Sequence, residues 1–183
     1  MGQNTQQEAQ TKMYIAQWLK YDGKIPLSQL LEDAFAIREA VFVQEQGFSH
    51  DLEFDATDEE AWHLVLYDEG RSPLATGRLY EDKERAGLWH LGRIAVRKEA
   101  RGDGLGRLAL LEMEKMAEFL DAGQLVLSAQ QQARGFYEKL GYHPVGEEYL
   151  DEFCPHIQME KRCKPSEDGQ IIPKTERSEA RCS

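Results

Sequence analysis

The 183 residues are enough for one ordinary domain with short tails, and 41% hydrophobic with 30% charged residues is the composition of a soluble globular chain. No run approaches the ~18 apolar residues that a membrane helix needs. The formal charge of −11, with 33 acidic against 22 basic residues and no local basic patch, sets the chain against phosphate backbones, so neither nucleic acid nor membrane is expected as a partner. Such a surface tolerates a cationic amine, although solubility alone accounts for the overall sign. The start, MGQNTQQEAQTK, lacks a signal peptide's basic and apolar regions, and Gln6 stands where a myristoylation motif wants Ser or Thr. Cys154, Cys163 and Cys182 show no CxxC pairing and no metal-ligand spacing, as suits free thiols in a reducing cytosol; the expected setting is cytoplasmic, with no metal.

In chain order, a polar Gln-rich segment (1–12) is expected to be a disordered tail, followed by one domain over 13–163. Met13 to Trp18 starts a strand. Leu27 to Gln46 predicts a helix, with Ser28 as N-cap and Leu31, Ala34, Phe35, Arg38, Val41 and Phe42 recurring at helical spacing. A loop with Gly47, Asp51, Asp55 and Asp58 comes next. Trp62–Tyr67 and Leu74–Tyr80 read as strands parted by the turn residues Asp68, Gly70 and Pro73, and Leu88–Val96 as another. Leu105, Ala109, Met113, Met116 and Leu120 form one apolar face of a helix that stops at Gly123. Leu125-Val126-Leu127 is a wholly apolar strand of the buried kind. Ala133–Leu140 is a short helix stopped by Gly141, and His156–Met159 a last strand; 164–183, with Pro165, Gly169 and Pro173, is expected to be a flexible tail. A strand meander that ends in a βαβ crossover means an α/β fold, with a mixed sheet between helices on both faces.

The chemistry concentrates in Arg93-Ile94-Ala95-Val96 and the following Arg101-Gly102-Asp103-Gly104-Leu105-Gly106-Arg107, where a strand enters a glycine-rich turn that opens a helix. Glycines let backbone approach a ligand, and the unpaired N–H groups of a first helical turn, with the positive end of the dipole, make an anion site. A Walker A loop would need Gly-Lys-Ser/Thr, which is absent. The dinucleotide fingerprint fits poorly, because Gly102-x-Gly104 is followed by Arg107 and no acidic residue closes a strand about twenty residues on. The pattern that fits is Arg-x-x-Gly-x-Gly, at Arg101, Gly104 and Gly106.

That pattern resembles the coenzyme A pyrophosphate loop of the GNAT superfamily of acyl-CoA N-acyltransferases. Gln130-x-x-Ala133-x-x-Phe136-Tyr137-Glu138-Lys139-Leu140-Gly141-Tyr142 is similar to the superfamily's other motif, one amphipathic helix and one buried strand later. Ile37-Arg38-x-x-Val41-Phe42-Val43-x-Glu45-Gln46, Glu53-x-Asp55-x-x-Asp58, His63, Ala75-Thr76-Gly77-Arg78-Leu79, Ala129-Gln130 and Pro155-His156-Ile157-x-Met159 resemble the ElaA-like branch over nearly the whole domain. Cys154 and Gly77 depart from that branch, which more often has a small hydrophobic residue and a second Ala there.

The resemblance implies a mixed, mostly antiparallel sheet of six to seven strands with a splay. It also implies acetyl-CoA as cofactor, CoA as product, and direct attack of a small-molecule amine on the thioester. It assigns the pantetheine amides to the backbone of Ile94, Ala95 and Val96, with the Ala95 or Val96 N–H as donor to the thioester carbonyl. The pyrophosphate falls to Arg101, Gly102, Asp103, Gly104, Leu105, Gly106 and Arg107, and the pantetheine arm to Gln130 with Phe136 packed on it. Lys139 meets the 3′-phosphate or is a solvated helix residue. Tyr137 is the general acid for the departing thiolate, or an aromatic packed under the helix. Glu45, Glu53, Asp55 and His63 come from the acceptor side and are candidate bases, with no spacing rule to choose among them. His156 lines the cleft or is a satisfied structural histidine, and Arg38 and Arg78 are buried partners of the acidic loop or bind a substrate carboxylate. The rival readings are a non-catalytic CoA-binding module, a protein N-acetyltransferase and an acyl-homoserine lactone synthase. Monomer and homodimer fit equally.

Overall fold

The computed structural model describes residues 12–23 and 28–163. The two expected tails, Lys12 aside, and the expected helix start at Leu27 lie outside them. Seven strands form one sheet: β1 (Ile15–Lys20), β2 (Trp62–Tyr67), β3 (Pro73–Glu81), β4 (Leu88–Val96), β5 (Gln124–Gln130), β6 (His143–Asp151) and β7 (Cys154–Arg162), in the order β1-β2-β3-β4-β5-β7-β6. Every neighbouring pair is antiparallel except β4 and β5, which α3 (Leu105–Phe119) joins as a parallel crossover.

Each face of the sheet carries its own core, as the alternation of its strands requires. On one face Leu64, Leu66, Leu79, Leu91, Leu125 and Leu127 pack against Leu105, Ala109, Leu110, Met113 and Ala117 of α3. On the other, Val65, Tyr67 and Ala95 meet Ala34 and Ile37 of α1 (Gln29–Arg38) and Val41 just beyond it. Each large aliphatic side chain so buried contributes roughly 1.5–3 kcal/mol relative to exposure.

Four regions differ from the sequence expectation. The single helix expected to Gln46 is α-helical only to Arg38; Glu39–Glu45 widens into π-helical turns, ending with Gln46 N–H bonded to the Val41 carbonyl. The wider turn keeps Val41 in the core while Phe42 and Gln46 face the cavity described below. The loop that follows is partly ordered, as α2 (His50–Glu53) and a 3₁₀ turn over Ala56–Glu60 capped by Asp55. Strand β6 has no counterpart in the sequence expectation. It is exposed throughout, carries Pro144, and is bulged near Gly146 (φ 76°), where its register to β7 shifts. An edge strand of that kind shows no alternation to detect. The helix expected over Ala133–Leu140 is a 3₁₀ turn plus α4 (Arg134–Glu138).

The feature that positions the site is a loss of pairing in the middle of the sheet. Strands β4 and β5 are bonded from Leu88↔Gln124 to Leu91↔Leu127 and then part. Where they part, β4 also bulges against β3, its register shifting between Thr76 and Arg78, and Arg93 sits at φ 53°. An L-residue in that region costs on the order of 1 kcal/mol or more, and something must hold it there.

Gly77, where alanine is the commoner residue in the similar branch, has a packing reason. A Cβ there would lie 2.4 Å from Met113 Sδ, inside the α3 core. Gly77→Ala is expected to destabilise the fold by about 1–3 kcal/mol through overpacking, read from urea denaturation. An unchanged midpoint would show that Met113 yields freely.

Candidate active site at the strand splay

A cavity of about 300 Å³ opens where β4 and β5 diverge. Its walls include Ile94 and Arg93 on β4, Gln130 on β5, Tyr137 on α4, Phe42 and Gln46 after α1, Glu53 on α2, Arg78 on β3 and His156 on β7. The turn between β6 and β7 closes one side, because Glu152 accepts the Ser49 N–H at 3.0 Å and Phe153 stacks on Phe48 at 5.1 Å.

Beside the cavity the glycine turn presents the N-terminus of α3. Gly102 (φ 92°) and Gly104 (φ 79°) adopt a conformation that L side chains resist, and a Cβ on either would meet nothing within 4 Å. A Cβ on Gly106 would touch Val96 Cγ2 at 3.7 Å and Phe136 Cζ at 4.0 Å, so the turn, the end of β4 and α4 converge there. The first amides of α3 have no intrahelical partner, which makes this an anion site. Arg101 is directed away from it: its guanidinium forms a two-point pair with Glu45 at 2.6 and 2.8 Å, and its Nε donates to the Val96 carbonyl. That hydrogen bond holds the Glu45 carboxyl below its usual range. Arg107 and Lys139 are exposed. Asp103 pairs with Lys12 at 2.6 Å.

Beside the cavity lies a largely buried lattice of three arginines and three carboxylates. Arg38 reaches Glu53 at 2.7 Å and Asp58 at 2.7 Å; Arg78 reaches Asp55 at 2.8 Å and Asp58 at 2.9 Å; Arg93 reaches Glu53 at 3.0 Å and Asp55 at 3.3 Å. Arg93 Nε and Nη2 also donate to the Glu53 and Leu52 carbonyls, which is what holds its strained backbone. Burial pushes the Glu53 carboxyl up despite its arginines. Burial also pushes Asp58 up, but the hydrogen bonds and charges of Arg38 and Arg78 outweigh it and leave the carboxyl below its usual range.

The expected site residues therefore separate into groups. Ile94, Gln130, Tyr137 and Glu53 share the cavity, and Ala95, Val96, Phe136 and the 101–107 turn flank it. Glu45 stands on the cofactor-loop side, engaged by Arg101. His63 is 1% exposed behind the lattice, where Nε2 donates to the Asp58 carbonyl at 2.9 Å and burial pushes its pKa down, so the ring is neutral and enclosed. Asp55, Arg38 and Arg78 belong to the lattice. Burial pushes the Tyr137 hydroxyl up to about 12, so at neutral pH it is a donor. Two features of the site carry little or no signal in the sequence. One is the positive φ of Arg93, which no spacing marks. The other is Gln46, whose amide oxygen accepts from Gln130 at 2.8 Å and which the sequence marks only as part of the segment resembling the ElaA-like branch, four residues after Phe42.

Among the described residues no group of three or more His, Cys, Asp or Glu is placed to hold a metal ion, and no helix is long and apolar enough to cross a membrane.

Comparison with known proteins gives a consistent result. Residues 31–163 match the family model described as an acetyltransferase (GNAT) domain. The Bacillus subtilis protein named uncharacterized N-acetyltransferase YjcF is 41% identical over 132 residues, covering 72% of this chain and 91% of that one. An acyl-CoA N-acyltransferase from Pseudomonas aeruginosa superposes with a TM-score of 0.69 at 28% identity, over 82% of this chain and 99% of that one. Escherichia coli ElaA shares the fold with a TM-score of 0.71 at 24% identity, over 82% of this chain and all (100%) of its own.

The lattice makes Asp58 a sharp test. Its folded pKa is depressed, so its stabilisation is present above the unfolded value of about 3.9 and is lost as pH falls through the lower folded value. Asp58→Asn leaves Arg38 and Arg78 short of a charge and is expected to cost about 3–5 kcal/mol at pH 7. Urea melts from pH 7 to pH 2 should also show a flatter acid limb than the parent. A cost below about 1 kcal/mol would mean that the lattice does not hold the loop.

Proposed function

This chain belongs to the GNAT acetyltransferase family, and we propose that it moves an acetyl group from acetyl-CoA to the primary amine of a small-molecule acceptor. The observation that carries the reading is the meeting of the unpaired stretch of β4 and Tyr137 on one cavity, with the α3 N-terminus close by where Gly106 approaches Val96 and Phe136. Acetyl-CoA supplies an acetyl group activated as a thioester, and the rest of the work is positioning, charge stabilisation and proton transfer.

The residues present fit that donor. The amides of Leu105, Gly106 and Arg107 and the open space over Gly102 and Gly104 suit a pyrophosphate. Arg101 can turn to it, since its pair with Glu45 is a surface one, screened by solvent. Beyond Leu91, β4 has no partner on its β5 side, so the backbone of Ile94 to Val96 is free on that edge to pair with the pantetheine amides as an added strand would. The Ala95 or Val96 N–H is the donor toward the thioester oxygen. Gln130 reaches the pantetheine arm after leaving Gln46, and Phe136 packs on it.

Tyr137 is the proton donor for the sulfur. Its phenol is buried and protonated, so it meets the growing thiolate charge with a hydrogen bond and gives up its proton as the C–S bond breaks. Glu53 has both oxygens on guanidinium groups, which suits it to fixing Arg93 at the cavity wall.

Acetyl-CoA at micromolar levels is expected to raise the melting temperature, the usual affinity span for such a donor. A thiol-release assay with polyamines, amino sugars, amino acids and peptides should find an amine that is turned over. A thermal shift without thiol release for any amine would point to a CoA-binding module; no shift at all removes the CoA reading. Tyr137→Phe should lower kcat by about 10²-fold or more with acetyl-CoA affinity unchanged. A rate within twofold of the parent would remove the acid assignment.

A further inference from the structure

Attack on the thioester requires a neutral amine, and the acceptor arrives as an ammonium ion. Two of the three carboxylates on the cavity are committed, and the third, Asp151, is an exposed residue at the end of β6. Glu53 is bonded to Arg38 and Arg93, and Glu152 accepts the Ser49 N–H. Two histidines also line it, His90 and His156.

His156 has its tautomer set by its neighbour. Nδ1 lies 2.9 Å from the Cys154 carbonyl oxygen, which can only accept, so Nδ1 carries the hydrogen. In the neutral ring Nε2 then holds a bare lone pair, and among the described residues Nε2 makes no hydrogen bond. The ring plane is fixed on two sides: Tyr149 stacks on it with centroids 6.1 Å apart, and Phe48 meets it edge-on at 6.4 Å. Tyr149 is itself tied to the Ser128 hydroxyl. The side chain is 6% exposed, so its only open prospect is the cavity it lines.

Its level in the sheet matters as much. His156 is the direct cross-strand partner of Gln130, which puts both side chains on one face of the sheet at the open end of the splay. His90 pairs with Val126, four residues back along β5, or about 13 Å toward the closed end. There its Nε2 is bonded to Asp82 at 2.8 Å and its ring lies flat on Tyr80.

We propose that His156 is a catalytic residue, the proton acceptor that neutralises the acceptor's ammonium group at Nε2. The proposal rests on the acetyl-transfer reading above. One ammonium proton passes to Nε2 and on to solvent, and the freed lone pair forms the N–C bond as the C–S bond breaks. The sulfur takes the Tyr137 proton. The second proton lost from nitrogen, released as the amide forms, restores the tyrosine through water. The balance is one amide, one thiol and one proton for each ammonium and thioester consumed.

Two measurements test it. Long-range proton–nitrogen correlation spectra of the histidine rings, on the full chain at neutral pH, should show His156 protonated at Nδ1 and bare at Nε2. The opposite tautomer overturns the proposal whatever the acceptor proves to be. His156→Asn keeps a side-chain amide near the Cys154 carbonyl and deletes Nε2. With the best amine of the panel it should lose about 10²-fold or more in kcat, keep its melting temperature and its acetyl-CoA affinity, and recover rate when free imidazole is added. A rate within about twofold of the parent overturns the proposal, as does a loss matched by lost stability or donor affinity, or a larger loss in His90→Asn. If the parent turns over no amine, the acetyl-transfer reading falls first, and that result is distinct from parent turnover that His156→Asn leaves intact.

Discussion

One wall of the cavity depends on the alternation of charge between Arg38, Arg78 and Arg93 and Glu53, Asp55 and Asp58. Six charges share one site whose formal sum is zero; Arg38, Arg78, Glu53 and Asp58 are buried and Arg93 and Asp55 partly so, and each is bonded on more than one side, which is the condition under which a fold tolerates their burial. The lattice joins the end of α1, the α2 segment, the 3₁₀ turn after it and strands β3 and β4. It also keeps Arg93 in its left-handed conformation, and hence maintains the bulge at the point where β4 leaves β5. Electrostatics thus fixes a defect in the sheet, and that defect is the site.

The donor side is built on the opposite principle. There backbone groups are left unsatisfied by the fold itself: free amides at the start of α3, and a β4 edge without a partner beyond Leu91. Such groups are costly when buried dry, so they face open space bordered by glycines that put no side chain in the way. A molecule with phosphates at one end and amides along its arm answers both needs in turn.

Much of this is legible in the sequence because it depends on local rules. Leu88–Val96 is readable to the residue, and the register of Gly102, Gly104 and Gly106 points to an anion site from the residue pattern alone. The acidic loop and its arginines are also readable as partners in composition, but their pairing is not: Arg38 and Asp58 are twenty positions apart, and only the tertiary fold decides which carboxylate each guanidinium meets. The same limit hides the separation of His63 from the cavity. On β2 its neighbours are apolar on both faces and so suit either one, and the Asp58 carbonyl makes the choice. Glu45 reads as a solvated helix-end carboxylate until the glycine turn folds back and brings Arg101 to it. Strand β6 is invisible because exposure on both faces removes the period that marks a strand.

That exposed strand has a mechanical consequence. Among the described residues β6 pairs its backbone with β7 alone, and its last residue leads into the Glu152–Phe153 turn that walls the cavity. Segments with one bonded edge and little buried apolar area lie at the low end of a protein's opening free energies, far below global unfolding. The cavity therefore has one wall set in the sheet's interior and one at the sheet's edge, where opening costs least. Traffic through the site can use the second without disturbing the first, so access and alignment are carried by different parts of the molecule.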